Sequence, residues 1–330
     1  MSIILSIIIP VYNVEKYIFK TLDSIYSQEI LPNGVEVIVI NDGTPDSSME
    51  IVEQFRMQFK NIIVVNQENQ GLSGARNTGI HKAKGKYLWF VDSDDMIENG
   101  ILDKMLPLLN KGDEDIYTFK IREYDELGNV LTERKFLDNQ RPEFCSGLEM
   151  IRRTARYRIL HTPMQMHVIR TEFLRDNGLE FVRGIYHEDI EFAPRMLLAA
   201  NKVCYVPWVA YKYVKRGSGS ITTNPQLLEK RIRNLIQIAE SHLSIMNSLE
   251  GQKKRIFSFA IYRVIAYIHA HIPNKKYRQW YREFGIKTLR GAFNRVVLMN
   301  LYYDHLWTRP PRQLIYIISP YLLKKMKMNI

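Results

Sequence analysis

The sequence predicts an α/β fold: a mixed, mainly parallel sheet flanked by helices, followed by a basic helical C-terminal region. Three observations lead there. Apolar, strand-like runs alternate with amphipathic helical runs through the first hundred residues, which is the pattern of βαβ units joined by right-handed crossovers. Each of those strands ends in polar, turn-forming residues, and together these ends line one edge of the sheet, where open α/β sheets bind ligands. Charge is segregated as well. Residues 226–330 hold 19 Lys and Arg against 5 Asp and Glu, a balance of +14, whereas the first 225 hold 27 against 30, or −3. A basic module is thus attached to a near-neutral one.

Taken in order, Ser6 to Pro10 reads as the first strand and Val14 to Gln28 as a helix with Ile18, Leu22 and Ile25 on one face. Val35 to Ile40 is the second strand, and Asp46 to Phe59 a helix capped by Asp46 or Ser47. Ile62 to Val65, Ser73 to Lys82 and Tyr87 to Val91 read as strand, short helix and strand. After a helix over Leu102 to Leu109, Asp115 to Tyr124 and Val130 to Phe136 form an antiparallel hairpin with Gly128 in its turn. Met150 to Arg158 is helical, with Arg152, Arg153, Arg156 and Arg158 as a solvated face. Met164 to Arg170 is strand-like, Thr171 to Asn177 a helix stopped at Gly178, and Lys202 to Val206 and Val209 to Val214 two strands. Helices then cover Gln226 to Leu249, Lys253 to His271 and Lys276 to Leu298.

The fourth strand ends in Asp92-Ser93-Asp94-Asp95, three carboxylates within four residues. Acids packed this closely repel one another, so such a cluster either holds a cation or works as a deprotonating group. A second cluster, His187-Glu188-Asp189-Ile190-Glu191, opens a helix. Acids in a first helical turn complement the dipole and cap free N–H groups, and a catalytic role is equally compatible with them. Lys215-Arg216-Gly217-Ser218-Gly219-Ser220 is either a linker or a basic loop whose N–H groups suit a phosphate.

At 330 residues with 46% hydrophobic content, the chain can bury a substantial core. Cys145 and Cys204 have no metal-ligand spacing and are too few for a disulfide framework. The chain opens without a basic leader and holds no apolar run of roughly 20 residues, so the expectation is a cytoplasmic protein. The end of the chain, Leu314 to Ile318 and Tyr321 to Met328, mixes apolar residues with lysines. That composition suits an interfacial helix on an anionic membrane surface, at the inner face of the cell membrane. Packing on itself or on a second copy, as a homo-oligomer, is the alternative. A nucleic-acid-binding protein working through the basic helices is a rival reading from another class.

Four motifs carry a family resemblance: Ser6-Ile-Ile-Ile-Pro-Val-Tyr-Asn13, Val39-Ile-Asn-Asp-Gly-Thr-Pro-Asp-Ser47, Asn69-Gln-Gly-Leu-Ser-Gly-Ala-Arg-Asn-Thr-Gly79 and Phe90-Val-Asp-Ser-Asp-Asp95. In order and spacing they resemble family 2 glycosyltransferases, inverting enzymes of the Rossmann-like GT-A fold of the kind that builds bacterial surface polysaccharides. The match is close over residues 4–100, partial at Glu188-Asp189 and Arg216 to Thr222, and absent over the basic helices. It implies a GT-A catalytic domain over 1–224, with nucleotide-binding (1–100) and acceptor (101–224) halves. The basic helical region over 225–330, which the resemblance does not reach, is read from its composition as a membrane or oligomer contact. The implied donor is a nucleotide-sugar, most simply a UDP-sugar, and the implied acceptor a glycan or lipid-linked glycan, with no nucleic acid involved.

Position by position, the resemblance implies that Pro10, Val11, Asn13, Asp42 and Arg76 surround the nucleotide, Asp42 at the uracil or ribose and Arg76 on the base side. Asp94, with Asp92, would hold Mn²⁺ or Mg²⁺, and Asp92 could instead meet the ribose. Asp189 is the implied catalytic base with Glu188 as its neighbouring candidate, and Arg216 and Ser220 would reach the diphosphate. A nucleotidyltransferase acting on a sugar phosphate is the rival enzyme; it would want a Gly-rich basic loop after the first strand, which Pro10-Val-Tyr-Asn13 does not supply.

Overall fold

In the sheet of this computed structural model, β1 (Leu5–Val11) lies between two parallel neighbours, β2 (Val35–Asn41) and β4 (Tyr87–Phe90). Residues 2–28, 34–133, 141–156, 163–216 and 225–270 are described. All seven residues of β1 and all four of β4 are buried, as expected of strands covered on both faces. The remaining strands are β3 (Ile62–Asn66), β5 (Met96–Ile97), β6 (Ile116–Tyr124), β7 (Val130–Glu133), β8 (Glu143–Cys145), β9 (His167–Arg170) and β10 (Val203–Val214). Their order is β3-β2-β1-β4-β9-β6-β10-β5, with β7 on β6 and β8 on β10. β9 is antiparallel to both β4 and β6, so β4, β6 and β10 all run the same way and their carboxyl ends share one edge.

Helices α1 (Ile18–Tyr26), α2 (Ser48–Gln58), α3 (Gly71–Lys82) and α4 (Ile101–Lys111) connect the early strands. α5 (Gly147–Arg156), α6 (Thr171–Asp176) and α7 (Glu188–Ala199) belong to the later part of the sheet unit. α3 lies so close to β1 that a Cβ on Gly79 would sit 2.3 Å from Ile8 Cγ2. Ala is ordinarily the better helix former, but here Gly79→Ala is expected to destabilise the protein by about 1–3 kcal/mol through overpacking, read as a lower urea midpoint.

Several elements differ from the sequence expectation, each for a physical reason. α1 begins at Ile18 rather than Val14, after a turn in which the N–H groups of Tyr17 and Ile18 meet the carbonyl of Val14, and the N–H groups of Asn13, Val14 and Glu15 bond the side chains of Thr44, Ser48 and Asp46. β1 runs through Pro10 to Val11; pairing with β4 has already ended at Ile8, so the missing N–H of Pro10 breaks no bond there. The two strands expected over 202–214 are one, β10, with register shifts between Tyr205 and Tyr211 that absorb Pro207. β9 begins at His167, after a 3-10 turn over Met164–Met166. The short strands β5 and β8 were not foreseen. Arg152 and Arg153 are not simply solvated, since both pair with Glu149 and Arg153 also reaches Glu143.

Two compact units divide between Asn234 and Leu235. The first holds the sheet and the first turns of α8 (Leu228–Ser248), where Asn234 Oδ1 accepts the Tyr186 N–H at 3.1 Å. In the second, the rest of α8 meets α9 (Gly251–Ala270) at His242 and Phe257, whose rings lie 5.7 Å apart. No helix among the described residues is long and apolar enough to cross a membrane. The basic tail from 271 onward, including Leu314 to Ile318 and Tyr321 to Met328, lies outside the described residues.

Candidate active site

The loops after β1 and β2 are tied together by side chains. Asn13, in the left-handed region at φ 55, donates its N–H to Thr44 Oγ1 at 2.8 Å. Asp46 accepts from Glu15 N–H (2.8 Å), the Thr44 hydroxyl (2.7 Å), and the hydroxyl and N–H of Ser48. Burial opposes ionisation of Asp46, but these donors prevail and hold its pKa at about 2. Asp46 therefore caps α2 and also clasps two loops, whereas Ser47 makes no side-chain cap. Asp42, 3% exposed, accepts from Gln67 Nε2 at 2.7 Å and Gln70 N–H at 2.8 Å. Pro10 and Val11 are buried at the end of β1 beside this loop pair.

The acid turn follows β4. Asp92, Asp94 and Asp95 each bring a carboxylate oxygen within 4.8 Å of the other two. Their surroundings differ. Asp95 is buried, with Oδ2 accepting from the Tyr211 hydroxyl and Oδ1 from Val214 N–H, both at 2.8 Å. Asp92 and Asp94 keep part of their side chains in solvent; Asp94 pairs with Arg216, and Asp92 Oδ2 accepts from Gln165 Nε2. Arg216 also lies over the Tyr17 ring, 4.7 Å from its centroid.

Arg76 joins the two acid clusters. It is 1% exposed, and its guanidinium donates to Asp92 Oδ1 from one nitrogen and to Glu188 Oε1 from the other, both at 2.8 Å. The rings of Phe90 and Phe181 lie 5.7 and 5.4 Å from it. The resemblance implies a place for Arg76 on the nucleobase side; in the structure its guanidinium pairs with both acid clusters, and carboxylates converging from β4 and α7 need such a buried counter-cation. Glu188 is correspondingly held in an ion pair, while Asp189 receives only the N–H of Ile190 at 2.8 Å among the bonds described. Asp189 keeps some solvent contact but is densely surrounded. Burial, reinforced by Glu188 and opposed by Arg76, pushes its pKa up to about 7.

The structure thus brings Asp42, Arg76, Asp92, Asp94, Glu188, Asp189 and Arg216 to the carboxyl-edge loops and the α7 N-terminus, and Ser220 lies outside the described residues. Sequence reasoning missed Gln165, Phe181 and Tyr211. Each reaches the site from an element distant in sequence and sits in no motif, so no local signal marks it. The acid turn fits a divalent cation: Asp92 and Asp94 offer hard oxygens on partly exposed side chains, whereas Asp95 is buried.

A mainly parallel sheet with these acids at its carboxyl edge is a GT-A sugar-transferase fold. The structure of Staphylococcus aureus TarS residues 1–349 in complex with UDP-GlcNAc superposes with a TM-score of 0.67 at 23% identity, over 90% of this chain and 81% of that one. A family model, Glycosyl transferase family 2, matches residues 6–176. The chain belongs to this family and is a glycosyltransferase. Glycosyltransferase GlyG of Streptococcus pneumoniae is 30% identical over 226 residues, 67% of this chain and 73% of GlyG. Glycosyltransferase GlyA of the same organism is 46% identical over 101 residues, 31% of this chain and 14% of GlyA. The chain therefore spans only a small part of the longer relative.

Proposed function

We propose that the chain is a metal-dependent, inverting glycosyltransferase that moves a sugar from a UDP-sugar to a hydroxyl of a glycan or lipid-linked glycan in surface-polysaccharide synthesis. The observation that carries this reading is the pair of acid clusters held on one buried guanidinium, with Asp92 and Asp94 on one side and Glu188 and Asp189 on the other. The UDP-GlcNAc held by TarS supports the choice of donor.

Asp92 and Asp94 would hold Mn²⁺ or Mg²⁺, which when bound stabilises charge developing on the leaving diphosphate. Arg216, beside Asp94, adds a positive charge on the same side, and Ser220 is assigned to the same loop. Pro10, Val11, Asn13 and Asp42 shape the nucleotide pocket. Asp189 takes the acceptor hydroxyl proton as that oxygen attacks the anomeric carbon; the new C–O bond forms as the bond to the diphosphate breaks. One displacement inverts the centre, so an α-linked donor gives a β-linkage. The end of the basic region, Leu314 to Met328, holds the enzyme at an anionic membrane surface, while the helices before it serve packing on the chain itself or on a second copy.

Asp94→Ala is expected to lower metal-dependent turnover by about 10²–10³-fold, measured as UDP release with and without Mn²⁺. Unchanged release would remove the turn from the mechanism, and pyrophosphate release instead of UDP would identify a nucleotidyltransferase. Binding of residues 225–330 to anionic liposomes at low salt tests the membrane role, and its absence there rejects it.

A further inference from the structure

Asp95 belongs to the acid turn by sequence but not by surroundings. It is 1% exposed and Tyr211 is fully buried. The Asp92 N–H donates to the Tyr211 oxygen at 3.1 Å, which directs the hydroxyl hydrogen to Asp95 Oδ2 at 2.8 Å. The other oxygen of Asp95 takes the N–H of Val214, two residues before Arg216. Immediately beyond Asp95, β5 pairs with the same stretch of β10, Ile97 with Tyr211 and Met96 with Lys212. The Tyr211 ring meets Trp89 edge-on at 6.3 Å, and the Trp89 indole donates to the carbonyl of Gln165, whose amide holds Asp92.

We infer that Asp95 and Tyr211 are positioning residues that tie the acid turn to the end of β10, setting where the carboxylates of Asp92 and Asp94 stand relative to each other and to Arg216. The route has a fixed polarity. It runs from a main-chain N–H through a hydroxyl to a carboxylate; Tyr211→Phe removes its middle, and Asp95→Asn leaves one acceptor where the Tyr211 hydroxyl and the Val214 N–H need two, each while keeping the shape. The Tyr211 oxygen takes the N–H of Asp92 itself, and Asp95 directly follows Asp94, so the link fixes the main chain on which both carboxylates stand. This inference rests on the reading of Asp92 and Asp94 as cation ligands.

The test uses the full chain with Mn²⁺ as the probe. Free Mn²⁺ is followed by paramagnetic resonance in the presence of UDP, alongside thermal unfolding. Tyr211→Phe and Asp95→Asn are each expected to weaken Mn²⁺ binding about 10-fold or more, since outer partners of metal ligands typically carry effects of roughly 10–100-fold. Because the two act through one route, the double variant should lose little more than the larger single loss. Folded single variants with Mn²⁺ affinity within about twofold of wild type would overturn the inference, leaving the cation reading intact; so would losses that multiply in the double variant. If Tyr211→Phe does not fold, Asp95→Asn, which replaces one oxygen by nitrogen, decides alone. Wild-type protein that binds no Mn²⁺ with UDP present overturns both.

Discussion

Asp189→Asn is expected to reduce sugar transfer by about 10²–10⁴-fold while UDP and Mn²⁺ bind with near wild-type affinity. The amide keeps the shape of the carboxylate and cannot take the acceptor proton. Glu188 does not readily replace it, because its Oε1 is engaged by the Arg76 guanidinium. The wild-type pH profile follows from the pKa of about 7 for Asp189. The base works deprotonated, so kcat/KM should rise with pH and level off above about 7. The same shift affects stability with the opposite consequence. Between its unfolded value of 3.8 and about 7, the folded protein keeps a proton that the unfolded chain has lost, so this group lowers stability as pH rises through that window. Transfer by Asp189→Asn at the wild-type rate would move the base elsewhere.

The second large effect is on the fold. Arg76→Met preserves much of the side-chain volume but leaves Asp92 and Glu188 facing each other without the guanidinium, with Asp189 close by. Removing one partner of a buried ion pair typically costs about 3–5 kcal/mol, a fall in Tm on the order of 10 °C for a unit of this size. The deficit should depend on pH. Without Arg76, which opposes the upward shift of Asp189, Asp189 binds its proton more readily in the folded state, so the loss is greater at pH 8 than at pH 5. Thermal unfolding at both values measures it. An equal and small loss at both would show that solvent, not Arg76, balances these acids.

Much of the sheet was legible because its strands are continuous apolar runs ending in turn residues, and Leu5–Val11, Val35–Asn41 and Tyr87–Phe90 fall close to where the pattern put them. The two- and three-residue strands β5 and β8 are too short to leave a period. The bulged β10 looked like two strands because Pro207 interrupts the run. At the site, acids clustered in sequence were visible as clusters. Their division of labour was not, because it depends on partners brought from afar: Gln165 to Asp92, Tyr211 to Asp95, and Glu188 to Arg76. Arg76 shows this most clearly. An arginine inside a Gly-rich helix carries no local mark of being buried beneath two carboxylates.

The strap that carries the acid turn from β4 to β5 has a consequence for biosynthesis. The contacts that complete it join residues more than a hundred positions apart: 119 between Asp92 and Tyr211, and 112 between Arg76 and Glu188. Loop closure over such lengths comes after local pairing. As the chain leaves the ribosome, β1 to β4 have their partners early and Asp92 can meet Arg76, but the contacts of the turn with Tyr211 and Val214 wait until β10 has been made. The finished arrangement of the acids is therefore among the last properties the sheet unit acquires. A nascent or truncated chain ending before Val203 can assemble the nucleotide-side strands, yet its acid turn lacks the hold of β10.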